Sequence, residues 1–198
     1  MTKYDWMPGM PFLPQYGGGK SFPQVFSAPI DGTAPAIPNF TDDAVFRADK
    51  RDVFQVVALL NSPAELNEAT SDIGRLKALE GLLNPSDATF IVHNEIPAVA
   101  HGQVETVSIS QANIIRVLGA EEYTAAGLTE AAGKLAFKRP PPLFYDPDRI
   151  RKDLGFDKRY VIIRWDRFVF ASCKDVDELK KAVAQLKDSV NGSTSVLL

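Results

Sequence analysis

Two histidines and a tyrosine are the side chains of this sequence best suited to proton transfer. His93 and His101 are its only histidines, and Tyr145 lies further along the chain beside Asp146. Because an imidazole changes charge near neutral pH, either histidine could be a general acid or base on an aromatic or polyketide-like substrate, with Glu95 or Tyr145 in support. A solvated or core-packed histidine and a helix-capping Asp146 are the structural alternatives. The spacing of the histidines across a Pro-containing loop matches no metal motif, so we predict no metal site.

Ser62 and Cys173 are the remaining candidate nucleophiles, and both have a simpler structural interpretation. Ser62 stands before Pro63, with Glu65 three residues on, which is a helix-capping signature. Cys173 is the only cysteine, which excludes an internal disulfide, a CxxC pair and a cysteine-rich metal site. Only Lys174 is close enough in sequence to lower the pKa of this thiol. We therefore predict a cap and a buried structural thiol.

The segment "QYGGGKSFPQ", residues 15–24, resembles the end of a phosphate-binding loop. That loop requires a glycine five positions before Gly19, where this chain has Pro14, and a helix after the motif, which Phe22-Pro23 disfavours. No G-x-G-x-x-G follows a strand either. We expect a flexible glycine turn leading into an extended segment, and no nucleotide or other cofactor.

Composition excludes several classes of partner. The chain has 198 residues, 45% hydrophobic and 24% charged, which is typical of one globular domain. A net charge of −3 gives no reason to expect nucleic acid or an anionic membrane as a partner. No apolar run is long enough to span a bilayer and no signal peptide is evident, so we expect a cytoplasmic protein.

The first 50 residues are rich in proline and glycine, yet they contain scattered aromatic residues such as Phe22 and Phe26. Prolines make long regular structure improbable, while the aromatics are too apolar for a disordered tail. We predict an extended arm over residues 1–50 that packs on the domain or on a partner chain. Its segment "SFPQVFSAP" could form one edge strand, because prolines are not tolerated in a central one.

Hydrophobic periodicity and capping residues predict the regular elements that follow. In chain order they are a buried strand over 52–60, a helix from 62 to about 83, a strand over 89–93, a short strand near 105–111, a short helix over 110–119, a helix over 146–155 capped by Asp146, a hairpin turning at Asp166-Arg167, and a helix over 175–190 capped by Asp175. A β-α-β unit, a hairpin and a closing helix is the order of the thioredoxin fold. We predict an α/β, thioredoxin-like sandwich with a mixed four- to five-stranded sheet and flanking helices over 51–190, and a C-terminal tail over 191–198.

Three segments resemble the C-terminal domain of phenol-hydroxylase-type flavoprotein monooxygenases. They are "GGGKSFPQVFSAPIDGTAPAI", "ADKRDVFQVVALL" and "LFYDPDRIRKDLGFDKRYVIIRWDRFVF", and the resemblance covers about residues 17–190. The family usually has Arg-Pro-Asp at the hairpin, where this chain has Arg164-Trp165-Asp166. We expect this chain to be a freestanding copy, without the flavin domain that precedes the family's C-terminal domain.

The resemblance implies a domain without redox cysteines that packs on a flavin domain and contributes to dimer contacts. We therefore expect a non-redox binding or structural module in aromatic-compound or polyketide metabolism, a branch of secondary metabolism. Its partner would be a second copy, as a homodimer, or a separate flavin monooxygenase, and it could bind an aromatic small molecule. The alternative is a small cofactor-independent enzyme, an isomerase, cyclase or dehydratase, with His93 or His101 as general acid/base. The sequence leaves open whether the protein is an enzyme.

Overall fold

The computed structural model describes residues 11–30, 39–93, 113–125 and 145–194, and every structural statement below refers to these ranges. The strands are β1 (Phe26–Pro29), β2 (Asn39–Phe40), β3 (Phe54–Leu60), β4 (Thr89–Val92), β5 (Ile114–Val117), β6 (Tyr160–Arg164) and β7 (Val169–Cys173). The helices are α1 (Thr41–Val45), α2 (Leu66–Gly74), α3 (Ala120–Ala125), α4 (Arg149–Leu154) and α5 (Val176–Thr194).

The described strands form one mixed sheet of seven strands in the order β2-β1-β5-β4-β3-β6-β7. The neighbouring pairs β3–β4 and β4–β5 are parallel. The pairs β3–β6, β6–β7, β1–β5 and β1–β2 are antiparallel. The prediction of a mixed α/β sheet with flanking helices is therefore confirmed, although the sheet is wider than the four to five strands we expected.

Strand β3 lies at the centre of the protein because it is buried on both faces. Its side chains alternate between two cores. Val56 and Leu60 pack in the core that includes residues of α2 and α5, while Val57 and Leu59 pack in the core that includes residues of α1 and α4. All seven residues of β3 are buried, and burying one such aliphatic side chain is worth about 1.5–3 kcal/mol. Burial on both faces explains the nearly continuous apolar run in the sequence.

The N-terminal segment supplies the two extra strands. Strand β1 lies between β2 and β5, so our prediction of an edge strand in "SFPQVFSAP" was wrong. Its proline, Pro29, is the last residue of the strand, so the missing N–H affects only the end of the ladder. The edge position is taken by β2, which is only two residues long. A short edge strand limits unwanted pairing with other chains.

At the opposite side of the sheet, residues 13–22 run along the outer edge of β7 and the turn before it. Four backbone hydrogen bonds join the two segments: Leu13 N to Phe170 O at 2.8 Å, Gly19 N to Val169 O at 2.9 Å, Val169 N to Lys20 O at 2.8 Å and Phe22 N to Arg167 O at 2.7 Å. The described part of the arm thus packs on its own chain and satisfies backbone groups that an open sheet edge would expose.

The glycines of "QYGGGKSFPQ" make this close approach feasible. A Cβ atom on Gly18 would lie 2.2 Å from the carbonyl oxygen of Phe170 and 2.8 Å from the backbone nitrogen of Leu13. Gly19 has a φ of +94°, which favours glycine, and the ring of Phe12 lies against it. The motif is therefore explained by strand packing.

The hairpin turn at Asp166-Arg167 is confirmed, and it contains the one non-glycine residue with positive φ among the described residues. Three residues form the loop between Arg164 and Phe168, which are joined by a backbone hydrogen bond, and the last of the three, Arg167, has a φ of 70°. A three-residue hairpin loop commonly ends in this left-handed conformation, which costs a non-glycine residue about 1 kcal/mol. The Arg167 guanidinium also pairs with the buried carboxylate of Asp42 at 2.9 Å, which ties the hairpin to α1.

Two helix predictions need correction. The helix expected over 62–83 consists of a 3-10 turn, Pro63–Glu65, and α2, which ends at Gly74. The later leucines leave the helix, and Leu83 instead forms an isolated bridge with Phe54. The prediction of a helix over 110–119 is wrong for the described part of that range, because Ile114–Val117 forms strand β5. Its Ile-Ile-Arg-Val sequence is β-branched at three of four positions, and burial in the sheet outweighs the helical spacing.

The helices before and after the hairpin agree more closely with the prediction. Helix α4 begins at Arg149, with Asp148 rather than Asp146 at the N-cap. Helix α5 begins where predicted, because Asp175 accepts hydrogen bonds from Asp177 N and Glu178 N, and it extends to Thr194. The predicted strand near 105–111 lies outside the described residues.

Gly18→Ala should destabilise the protein, because the new Cβ must displace the backbone of Leu13 or β7. We expect a loss of about 1–3 kcal/mol in the free energy of unfolding, measured by urea denaturation. Gly74→Ala is the matched control: its Cβ meets nothing within 4 Å, so stability should be unchanged or rise by up to about 1 kcal/mol. Equal effects of the two substitutions would contradict the packing of Gly18 against β7.

Candidate functional site

The carboxyl ends of β3 and β4 carry the polar residues most relevant to function. In open α/β sheets, ligands commonly bind beyond the carboxyl ends of the parallel strands. Asn61 follows β3 directly, and His93 follows β4 directly, with its backbone N–H donating to the carbonyl of Leu60 at 2.9 Å. Arg151 of α4 reaches the same edge of the sheet and contacts Asn61.

Arg151 is a buried cation that joins three elements. Its side chain donates to the carbonyl oxygen of Lys158 at 2.6 Å, just before β6, and to the side-chain oxygen of Asn61 at 3.0 Å. The residue is only 5% exposed. Within the described ranges no carboxylate lies at ion-pair distance from it, and burial lowers the pKa of its guanidinium. Neutral oxygens therefore provide its hydrogen bonds.

The negatively charged group beside this network is the Glu65 carboxylate, which is bonded to Asn61. Asn61 donates from its backbone nitrogen and from its side-chain amide to the carboxylate of Glu65, at 3.2 and 3.4 Å. The favourable charge of Glu65 partly offsets the effect of burial on the pKa of Arg151. Asn61 is thus hydrogen-bonded to both the cation Arg151 and the anion Glu65. The Ser62 side chain makes no capping hydrogen bond, so the predicted cap by Ser62 is wrong.

His93 lies in this region with its imidazole enclosed. Both ring nitrogens are buried and have no hydrogen-bond partner among the described residues. Burial, together with the positive charge of Arg151, lowers the pKa of His93 to about 4. The imidazole is therefore neutral at pH 7, and as a base it is much weaker than a histidine whose pKa lies near the working pH. His101 and Glu95 lie outside the described residues.

Tyr145 belongs to a different part of the protein. Its ring packs with those of Phe26 and Tyr123, at centroid distances of 5.7 and 4.4 Å. Its hydroxyl donates to the carbonyl oxygen of Leu118 at 2.7 Å, and burial raises its pKa well above the usual range. The structure therefore places Tyr145 as a hydrogen-bonded core residue, and no hydrogen bond joins it to His93. Asp146 accepts from Asp148 N and pairs with Lys152 at 2.8 Å.

Cys173 is a buried thiol, as predicted. It is fully enclosed at the end of β7, and burial, followed by the charge of Glu178, raises its pKa to about 12. A thiol with this pKa is almost entirely protonated at neutral pH and is a poor nucleophile. Across the described ranges, no group of three or more histidine, cysteine or acidic residues is arranged to hold a metal ion, and no helix is long and apolar enough to cross a membrane.

At the amino end of β4, the Lys50 side chain lies in an unusual environment. Its ammonium group donates to the hydroxyl of Thr89 at 2.6 Å and to the carbonyl of Ala44 at 3.1 Å. Burial, followed by the charge of Arg47, lowers its pKa to about 8. The contacts attach the residues after α1 to the start of β4, which is a structural role.

Arg151 and Asn61 were missed by sequence reasoning. Arg151 follows Ile150 on a helix whose buried residues also include Leu154, so its position beside the apolar stripe was a weak signal. Asn61 had a better signal, because it directly follows a strand predicted to be buried and parallel. No protein-family model, curated protein or solved structure matches this chain.

Arg151→Met should destabilise the protein by about 2 kcal/mol, because it removes the hydrogen bonds that the buried guanidinium donates to the part-buried oxygens of Asn61 and Lys158. Arg149→Met is the matched control, since Arg149 lies on the same helix with 56% of its side chain exposed; its effect should stay within about 0.5 kcal/mol. Urea denaturation measures both. In an Asn61→Leu background the cost of Arg151→Met should shrink, as expected of coupled residues; an undiminished cost would show that they act independently.

His93 should make stability depend on pH. Its pKa is lowered from 6.5 to about 4 in the folded state. As the pH falls, the unfolded chain therefore takes up the proton before the folded chain does. Stability is therefore complete above about pH 6.5 and falls as the pH drops, by up to about 3 kcal/mol near pH 4. His93→Leu should flatten this part of the pH profile of unfolding, and NMR titration of the imidazole gives the pKa directly. A pKa near 6.5 in the folded protein would contradict the burial.

Proposed function

We propose that this protein is a non-redox, thioredoxin-like binding or structural module that acts in the cytoplasm through a protein partner. The observation that carries the proposal lies directly after β3, where a thioredoxin-type redox site would be. There the chain has Asn61, whose side chain accepts from the buried Arg151 and donates to Glu65. The position is used for a structural network, and the single thiol, Cys173, is buried elsewhere.

The order of elements supports the thioredoxin-like part of the proposal. The parallel unit β3-α2-β4 precedes the antiparallel hairpin β6-β7 and the closing helix α5. The same succession supports a relationship to the accessory domain of phenol-hydroxylase-type flavoproteins, with a role in aromatic-compound or polyketide metabolism. In that case the partner is a second copy of the chain or a separate flavin monooxygenase.

Exposed aromatic side chains support binding to a protein. Trp165, at the tip of the hairpin, is 64% exposed, and Phe168 beside it is 38% exposed. Aromatic residues of this kind contribute disproportionately to protein–protein interfaces. Trp165 replaces the proline expected from the family resemblance. The hairpin tip, defined here as Trp165 and Phe168, is the surface we propose for self-association.

The enzyme alternative has less support. A general acid or base must reach the substrate, and both ring nitrogens of His93 are enclosed. Its pKa of about 4 also makes it a weak base at neutral pH. His101 lies outside the described residues, and the Tyr145 hydroxyl is already bonded to the backbone.

Trp165→Ser should weaken self-association, because it removes the largest exposed apolar side chain from the hairpin tip. We expect light scattering coupled to size-exclusion chromatography, over a range of concentrations, to show a dimer that dissociates at least about tenfold more readily in this variant. Phe156→Ser is the matched control, since Phe156 is 69% exposed but lies beyond the other end of the hairpin. A monomer at all concentrations, or equal effects of both substitutions, would count against the hairpin tip as a dimer contact.

A further inference from the structure

A groove with an apolar floor and a basic rim lies between α5 and the segment that follows α2. It has a volume of about 270 Å³. Four cationic side chains line it: Arg75, Lys77, Lys180 and Lys187. Such a concentration of positive charge is unexpected on a chain whose net charge is −3. We call this feature the basic groove.

The rim retains positive charge after its ion pairs are counted. Arg75 contacts Asp72 at 3.6 Å and Lys180 contacts Asp177 at 3.7 Å, both long and partly exposed contacts. Exposed pairs of this kind are worth little, typically below about 1 kcal/mol. Neither Lys77 nor Lys187 forms an ion pair among the described residues. The rim is therefore suited to a ligand that brings carboxylates.

The floor of the groove is apolar, and a second cavity lies beside it. Leu79 and Val183 line the basic groove. Leu76 lines both this groove and a second cavity of about 280 Å³, whose lining includes Ile73 and Phe90. The second cavity therefore adjoins the groove at Leu76. Two adjoining hollows fit a row of apolar side chains better than they fit one compact molecule.

The spacing of the lysines indicates the shape of the ligand. Lys180 and Lys187 are seven residues apart on α5, which corresponds to about 10 Å along the helix axis. Val183 and Ala184 lie between them on the same face. Two carboxylates with a similar spacing would pair with both lysines at once. A helix with acidic residues seven apart and apolar residues between them would match both the lysines and the floor.

We propose that the basic groove binds an acidic amphipathic helix of a partner protein, aligned along α5. Its apolar side chains occupy the floor over Leu76 and Leu79, and its carboxylates pair with Lys180 and Lys187. This inference rests on the proposed function as a binding module and names the chemistry of the partner. It uses a surface distinct from the hairpin tip, so the two can be tested separately.

The test uses the full chain and a fluorescein-labelled peptide of about 20 residues, long enough to form a helix, with glutamates seven apart and leucines between them. Fluorescence anisotropy measures binding. We expect Lys187→Glu to weaken binding about tenfold or more and added salt to weaken it further. Lys181→Glu is the matched control, because Lys181 is an exposed residue of α5 outside the groove; its effect should stay within about twofold.

Three outcomes would overturn the inference: equal weakening by Lys187→Glu and Lys181→Glu, equal binding of a peptide with glutamine in place of glutamate, or no binding of the glutamate peptide. Binding of anionic phospholipid vesicles that depends on Lys187, without binding of the peptide, would assign the groove to a membrane surface instead. If the peptide fails while self-association still depends on Trp165, only the groove proposal is lost. If self-association fails while the peptide binds, the groove proposal stands.

Discussion

The burial of β3 on both faces is the constraint on which the rest of the structure depends. A strand buried in this way needs hydrogen-bonded neighbours at both edges and apolar layers above and below. Strands β4 and β6 supply the neighbours. Helices α2 and α5 contribute to one layer, α1 and α4 to the other. Arg151 contributes to the same arrangement. Its guanidinium donates hydrogen bonds to the Asn61 side chain after β3 and to the Lys158 carbonyl before β6.

The centre of the fold was predictable from sequence because its signals are local. Strand β3 is a nearly continuous apolar run, α5 has a capping aspartate, and the hairpin has two alternating arms around a tight turn. The two extra strands were not predictable in the same way. Strands β1 and β2 are short and lie among prolines. Strand β1 pairs with β5, which is about ninety residues away in the chain, and β2 pairs with β1. Strand β5 itself was mistaken for a helix, because burial in a sheet outweighs a short helical spacing.

The candidate site was only partly predictable for a related reason. Sequence reasoning selected His93 for its chemistry, and the structure encloses both of its ring nitrogens. It did not select Arg151, because an arginine on a short charged helix is usually exposed. What makes Arg151 unusual is its burial and its hydrogen bond to Asn61, which lies ninety residues away in the chain. Titratable side chains can be read from sequence, but their burial and partners depend on contacts between elements that are far apart.

The glycines of "QYGGGKSFPQ" show how one local pattern can serve two different purposes. A phosphate-binding loop uses glycine because the backbone must approach an anion closely. Here the backbone must approach another strand, and a side chain on Gly18 would collide with the Phe170 carbonyl. Both cases require the absence of Cβ, so the glycines alone cannot distinguish them. The prolines on either side can: Pro14 stands where the phosphate loop requires glycine, and Pro23 disfavours the helix that must follow the motif. In the structure a 3-10 turn over Pro14–Tyr16 precedes the glycines, and the backbone bonds of residues 13–22 cover the edge of β7.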